Sequence, residues 1–284
     1  MPARFAVSCS VSACQITGLN DLLIPGIQQV ELGFFNDGDL PYLQEFLATR
    51  HLTFGFHDPL VKPADFAWPA FTGPTEEARR RSIARLQPTM ATAAAWGAKY
   101  VVVHIPSLIF PGDPVPPVGS TWDMVMRSGA DLESASREYG VPVLVENVGP
   151  NPTFQLAEDW ERFFAAFPSL RFCNDFGHLQ LLAGRTGLDP LDFTRRLAPI
   201  TASAHVYNAR LPEYQQYRHI PMHPSLHPED GWADIPGLLT TLLSGNPDSL
   251  LVFEHNVHYP GGKDFAAEGV AWVRRLVANF EAGA

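Results

Sequence analysis

Lysine is scarce in this chain, occurring only at Lys62, Lys99 and Lys263 among 284 residues. With 20 basic against 30 acidic side chains the formal net charge is −10, so most of the surface repels a phosphate backbone. Nucleic-acid binding would need a local basic patch. The only dense one, Arg79-Arg80-Arg81 followed by Arg85, falls in a helical pattern and reads as a solvated face. Nucleic acid is therefore not the expected partner. Cysteine is equally rare. Cys9, Cys14 and Cys173 are odd in number and lack zinc-ribbon spacing, which argues against a disulfide framework and predicts reduced thiols. No uninterrupted apolar run approaches the roughly 18 residues of a membrane span. The start, MPARFAVSCSVSAC, is too short and too polar for a signal-peptide core. The expectation is a cytoplasmic protein with no membrane partner.

Two nucleotide-binding signatures are missing as well. No G-x-G-x-x-G follows the first strand-like run, which removes the main support for a doubly wound dinucleotide fold. The stretch CNDFGHLQL, residues 173–181, contains the Asp-Phe-Gly of a protein kinase. Phosphoryl transfer from ATP also needs a Gly-rich loop, a strand lysine and a His-Arg-Asp loop upstream, and none is present. Asp175 and His178 must be explained by other partners.

What is present is a rhythm. Hydrophobic residues make up 46% of the chain, enough for a sizeable core. Short apolar runs, each followed by polar or Gly/Pro residues and then a helix-like stretch, fall at Phe5–Cys9, Gln28–Leu32, Leu52–Phe56, Tyr100–His104, Val141–Glu146, Leu170–Asp175, Ala202–Val206 and Leu250–Glu254. Helical patterns lie between them at Leu40–Ala48, Thr75–Ala95, Trp122–Tyr139, Leu156–Phe167, Pro190–Leu197, Ile235–Leu243 and Phe265–Phe280, with a weaker one at Asn20–Leu23. Continuous apolar strands alternating with helices predict a parallel sheet covered on both faces. Eight such units predict closure into an α/β fold, a (β/α)₈ TIM barrel, with residues 1–284 as one domain. Three long connections, His57–Pro74, Ile105–Ser120 and Asn208–Ala233, all follow strands, and loops of that length at the C-terminal face of a barrel wall or cover a pocket.

The barrel frame turns scattered polar residues into a ring at that face. His57 follows strand three, His104 ends strand four, Glu146 strand five and Asp175 strand six; His205 lies in strand seven and Glu254 ends strand eight. Alone, each is more often a hydrogen-bonded structural residue. Together in one narrow mouth they would repel one another or stay unsatisfied unless a cation neutralised them. The oxygen-rich donor set suits manganese or zinc, with cobalt or magnesium as alternatives.

At this point the sequence resembles the xylose isomerase-like TIM-barrel superfamily, through LVENVGP around Glu146, NDFGH around Asp175 and His178, AHVYNA around His205, HPEDG around His227 and VFEH around Glu254. That superfamily holds sugar isomerases, ketose epimerases and the endonuclease IV type of apurinic-site nuclease, also grouped as AP endonuclease family 2. The resemblance runs from about Phe5 to Phe280. It implies that Glu146, Asp175, His205 and Glu254 match the four-ligand metal site of the epimerase branch. Glu146 and Glu254 would exchange a proton with the carbon next to a carbonyl, and His178 would contact a substrate oxygen. Arg210 stands near the position of an arginine that family often carries, with its offset shifted by one. No lysine stands beside Glu146, which argues against a lysine-based isomerase.

The nuclease branch adds histidine ligands, and by its pattern His57, His104, His178 and His227 are possible additional metal ligands. The sequence departs from that pattern two residues before His227, where Ser225 replaces an aspartate, and a hydroxyl is a poorer cation ligand. The loop carrying His219, His223 and His227 is either part of a cluster or a solvated surface. Phe66 and Trp68, with Phe71, could stack on a sugar face or simply pack the loop. Lys263, after Gly261-Gly262, marks either a phosphate site or a turn before the last helix. The expected function is a metal-dependent isomerase or epimerase of a small sugar, sugar phosphate or polyol acid. The alternative is a multinuclear phosphodiesterase acting on a small molecule or abasic DNA; a barrel that only binds a ligand is a third. Exposed Pro-rich and aromatic loops could also meet a second copy of the chain in a homo-oligomer.

Overall fold

A computed structural model describes residues 4–9, 16–62, 69–107, 118–149 and 154–283. Its eight parallel strands close in sequential order into a barrel, β1 (Arg4–Ser8) pairing with β8 (Leu250–Phe253). Between them run β2 (Gln29–Leu32), β3 (Thr53–His57), β4 (Val101–His104), β5 (Val143–Glu146), β6 (Arg171–Asp175) and β7 (Thr201–Val206). Every strand expected from the sequence forms, with ends displaced by two residues at most.

The helices are α1 (Leu19–Leu22), α2 (Leu40–Thr49), α3 (Glu76–Trp96), α4 (Val118–Tyr139), α5 (Ala157–Ala166), α6 (Phe176–Thr186), α7 (Pro190–Leu197), α8 (Glu213–Tyr217), α9 (Ile235–Gly245) and α10 (Gly262–Gly283). Of these, α6 and α8 were not anticipated. The first has no loop to announce it: Asp175 ends β6 and also caps α6, its Oδ1 accepting from the His178 N–H at 2.6 Å. Elsewhere the caps follow ordinary chemistry, as where Thr75 accepts from the Ala78 N–H and starts α3, and Gly97 in the left-handed region stops it.

Most of the core lies between the strands and the helices. On α5, Trp160, Phe163 and Phe164, with Phe167 just beyond the helix, pack into one aromatic cluster, from which Trp160 and Phe164 press on Phe172 of β6. Burying each such ring contributes about 1.5–3 kcal/mol, enough to fix this helix against the barrel. A second, smaller layer fills the barrel interior with Ala6, Tyr100, Val102, Leu144, Cys173, Leu250 and Val252. Strand alternation puts the next inward residue of each strand one layer higher. Val102 is followed by His104, Leu144 by Glu146, Cys173 by Asp175, and Val252 by Glu254. The apolar floor thus carries a polar ring.

The arginine run on α3 is only partly the solvated face expected: Arg80 and Arg81 are exposed, but Arg79 is turned inward against α4. Arg79 is buried and pairs with Glu76 and with Asp131 of α4, while Arg80 and Arg81 pair with Glu76 and Glu77. The expectation of reduced thiols needs a correction. Cys9, just past β1, is disulfide-bonded, and Cys173 is free and buried. The odd count concealed one bridged cysteine and one thiol that packs in the barrel floor; Cys14 lies outside the described residues. Among the described residues, no helix is long and apolar enough to cross a membrane.

Candidate metal centre

Register aligns the polar ring. His104 pairs with Glu146 across β4 and β5, and Asp175 with His205 across β6 and β7. One ligand atom each from Glu146, Asp175, His205 and Glu254 lie within 4.8 Å of one another, and all four residues are buried. The contacts converge on His205 Nδ1, which lies 3.0 Å from Glu254 Oε2, 3.5 Å from Glu146 Oε1 and 3.6 Å from Asp175 Oδ2. Neither His205 Nδ1 nor Asp175 Oδ2 makes a hydrogen bond. A nitrogen and three carboxylates that converge on one spot could hold a divalent cation. Three oxygens and one imidazole nitrogen fit such an ion.

A second group shares a member with the first. His57 Nε2 lies 3.2 Å and His104 Nε2 3.3 Å from Glu146 Oε2, with the two imidazoles edge to face at 4.8 Å. Each histidine of these groups therefore faces at least one carboxylate. For His57, burial alone would lower the pKa, but the Glu146 hydrogen bond and charge, with Glu31 and Glu254 behind them, raise it to about 9. For His205, burial is likewise overcome, by Cys173, Glu254, Glu31 and Glu146, and the ring is held well above its ordinary value. Burial pushes the carboxylates of Glu146 and Glu254 up, and the neighbouring histidines pull both well below the usual range.

The end of β5 is braced against that of β6. Asn147 donates from Nδ2 to the Asp175 carbonyl at 3.1 Å and accepts from the Asp175 N–H at 2.8 Å. His178 stands on the first turn of α6, buried, with Nδ1 making no hydrogen bond. Burial lowers its pKa, so it stays neutral at physiological pH. Its ring meets those of His219 and Tyr207 edge to face, and Tyr207 and His219 stack at 4.0 Å.

Several residues singled out in the sequence are not brought to this centre. His227 is exposed at the start of a 3₁₀ turn, Pro228–Asp230, outside the ligand groups. Arg210 pairs with Glu213, donates to the Asp230 carbonyl and covers Trp232, beside a cavity of about 300 Å³ whose lining includes none of the four ligands. Lys263 is exposed and pairs with Asp21 at 2.9 Å. Phe71 is fully buried in the core, while Phe66 and Trp68 lie outside the described residues.

One residue at the centre, Glu31, is absent from the sequence-based expectations, and the role of another, His219, is left open by them. Glu31 of β2 is fully buried and reaches His205 Nε2. Its signal was a charged residue inside an apolar strand. His219, from the loop after β7, has Nδ1 3.1 Å from the Glu254 carbonyl and 3.4 Å from its Oε2. The antiparallel bridge between Asn208 and Ile220 folds that loop back, and no spacing rule foretells it.

Comparison with known proteins agrees with this architecture. A family model described as xylose isomerase-like TIM barrel matches residues 26–276. No curated protein matches the chain significantly by sequence. Among solved structures, a D-tagatose 3-epimerase-like protein superposes with TM-score 0.72 at 15% identity, covering 99% of both chains. The 3-keto-D-glucoside 4-epimerase of E. coli gives TM-score 0.73 at 13% identity over 96% of this chain and 99% of the other. A xylose isomerase-like TIM barrel protein from Mycobacterium smegmatis, in complex with magnesium, gives 0.62 at 12% identity over 98% and 97%. At such identities the likeness establishes the fold.

Proposed function

The chain belongs to the xylose isomerase-like TIM-barrel family, and from that premise we propose that it is a divalent-metal-dependent epimerase or isomerase of a small sugar-like substrate. The observation that carries the proposal is the convergence of Glu146, Asp175, His205 and Glu254 within 4.8 Å, with Asp175 Oδ2 and His205 Nδ1 buried and without hydrogen bonds. These four residues would hold the cation, manganese or zinc first among the candidates. Bound there, it supplies Lewis acidity toward neighbouring carbonyl and hydroxyl oxygens of the substrate.

The remaining chemistry belongs to the side chains. Glu146 and Glu254 enter the mouth from β5 and β8, and their histidine neighbours keep both ionised. One carboxylate takes the proton from the carbon next to the carbonyl, and the electron pair of that C–H bond moves toward the carbonyl oxygen. The other, Glu146, draws a proton from protonated His57 across their 3.2 Å contact and delivers it to the same carbon from the opposite face, which inverts it. Neutral His178, with Nδ1 uncommitted, would bond a substrate oxygen. The epimerase and the epimerase-like protein among the fold neighbours support this choice of substrate class.

A second reading rests on the group of His57, His104 and Glu146, which would hold another cation and turn the centre toward phosphoester hydrolysis. The deciding experiment incubates the Mn²⁺-loaded protein with a panel of ketoses and ketose phosphates in D₂O and follows deuterium at the carbon beside the carbonyl by proton NMR. Exchange with epimer formation is expected. No exchange in any member, alongside hydrolysis of a phosphodiester probe, would replace the first reading with the second.

A further inference from the structure

Glu31 lies fully buried in β2 between Val30 and Leu32, which are buried too. An isolated carboxylate there would cost several kcal/mol, so its partner matters. That partner is His205: Glu31 Oε2 accepts a hydrogen bond from Nε2 at 3.3 Å, and Oε1 lies 3.1 Å from the same nitrogen. The next strand makes room for a further neighbour. Gly55 stands in register with Glu31, and a Cβ at Gly55 would lie 2.4 Å from the Tyr100 ring. The missing side chain therefore admits that ring to the barrel floor. Burial first, and the Glu31 charge next, hold the Tyr100 phenol well above its ordinary range, so a neutral hydroxyl accompanies the carboxylate.

A neutral imidazole has one N–H and one lone pair, and the hydrogen bond at one nitrogen decides the role of the other. In the neutral ring that a cation requires, Nε2–H donates to Glu31 and the lone pair of His205 sits on Nδ1. That atom faces Glu254, Glu146 and Asp175. We infer that Glu31 is a positioning residue, which holds His205 in its Nε2–H tautomer and fixes the ring plane so that Nδ1 is offered to a divalent cation. The inference rests on the cation reading above. Outer partners of this kind orient a ligating histidine, and their loss weakens metal affinity by about 10–100-fold.

The test uses the full chain stripped with chelator and titrated with Zn²⁺ against a competing chromogenic chelator. Glu31→Ala should weaken Zn²⁺ binding about 10–100-fold. Glu31→Gln, whose amide oxygen still accepts from Nε2, should recover most of the loss. Nitrogen-15 spectra of the Zn²⁺-loaded wild-type protein should show His205 protonated at Nε2 and bare at Nδ1. Unchanged affinity in Glu31→Ala, or a His205 proton on Nδ1, overturns the inference. If circular dichroism shows that Glu31→Ala does not fold, the wild-type spectrum decides by the same criterion. A wild-type chain that takes up no Zn²⁺ would sink the cation reading itself; uptake with Glu31-independent affinity would sink only the role of Glu31.

Discussion

Gly177→Ala should damage this protein far more than an alanine in a helix ordinarily does. Gly177 follows Phe176 in the first turn of α6, one residue before His178. A Cβ there would lie 2.0, 2.3 and 2.6 Å from three atoms of the Tyr207 ring, where ordinary contact begins at 3.4 Å. Either the ring or the helix must retreat by about 1.4 Å, the shortfall of the closest contact. Tyr207 has nowhere to go: it is fully buried and stacked at 4.0 Å on His219, which is itself bonded to the Glu254 carbonyl. Overpacking of this kind costs about 1–3 kcal/mol, or roughly 2–5 °C in Tm for a chain of this size. Gly184, exposed in the same helix, supplies the control, since a Cβ there meets nothing within 4 Å. Gly184→Ala should raise stability by about 0.5–1 kcal/mol through helix propensity. Thermal unfolding by circular dichroism measures both. In a Tyr207→Leu background the cost of Gly177→Ala should shrink, a coupling that a double-mutant cycle reads directly. Equal Tm for Gly177→Ala and the wild type, or an undiminished cost in that background, would refute the packing argument.

Two further outcomes follow from the same geometry. Glu146→Gln or Glu254→Gln should abolish epimer formation, because the amide leaves one face of the carbon with no group to accept or return the proton; epimerisation retained in both variants would remove the glutamates from the mechanism. The chelator-treated protein should lose stability as pH rises from about 6.5 toward about 9, because the folded-state pKa of His57 is raised above its ordinary value of 6.5. The bond between protonated His57 and Glu146 is complete below the lower value and gone above the higher, worth up to roughly 3 kcal/mol before solvent relaxation. Denaturant midpoints across that range check it, and His57→Asn should flatten the profile.

The barrel was legible because its strands carry β-branched runs punctuated by Gly, Pro and polar residues, and parallel strands buried on both faces leave little room for another pattern. The ring of Glu146, Asp175, His205 and Glu254 was legible for the same reason: each ends or lies in such a run. What the sequence hid depends on tertiary placement. Helix α6 starts on the residue that ends β6, so no turn separates the two periodicities. Glu31 stands out as a charge in a buried strand, but its partner emerges only when His205 is seen across the barrel. His219 reaches Glu254 only because Asn208 and Ile220 pair and fold the loop inward. In the same loop, His223 stacks on Phe265 and pairs with Glu268 at the surface. Composition alone could not separate two histidines four residues apart.

The central claim is that four side chains form one cation site, and elemental analysis of metal per chain tests it most directly. Protein purified without added metal or chelator, then reconstituted with Mn²⁺ or Zn²⁺, should carry about one tightly held ion, lost in Asp175→Asn and retained in His57→Asn. No bound ion under any of these conditions, or full retention in Asp175→Asn, would contradict the account.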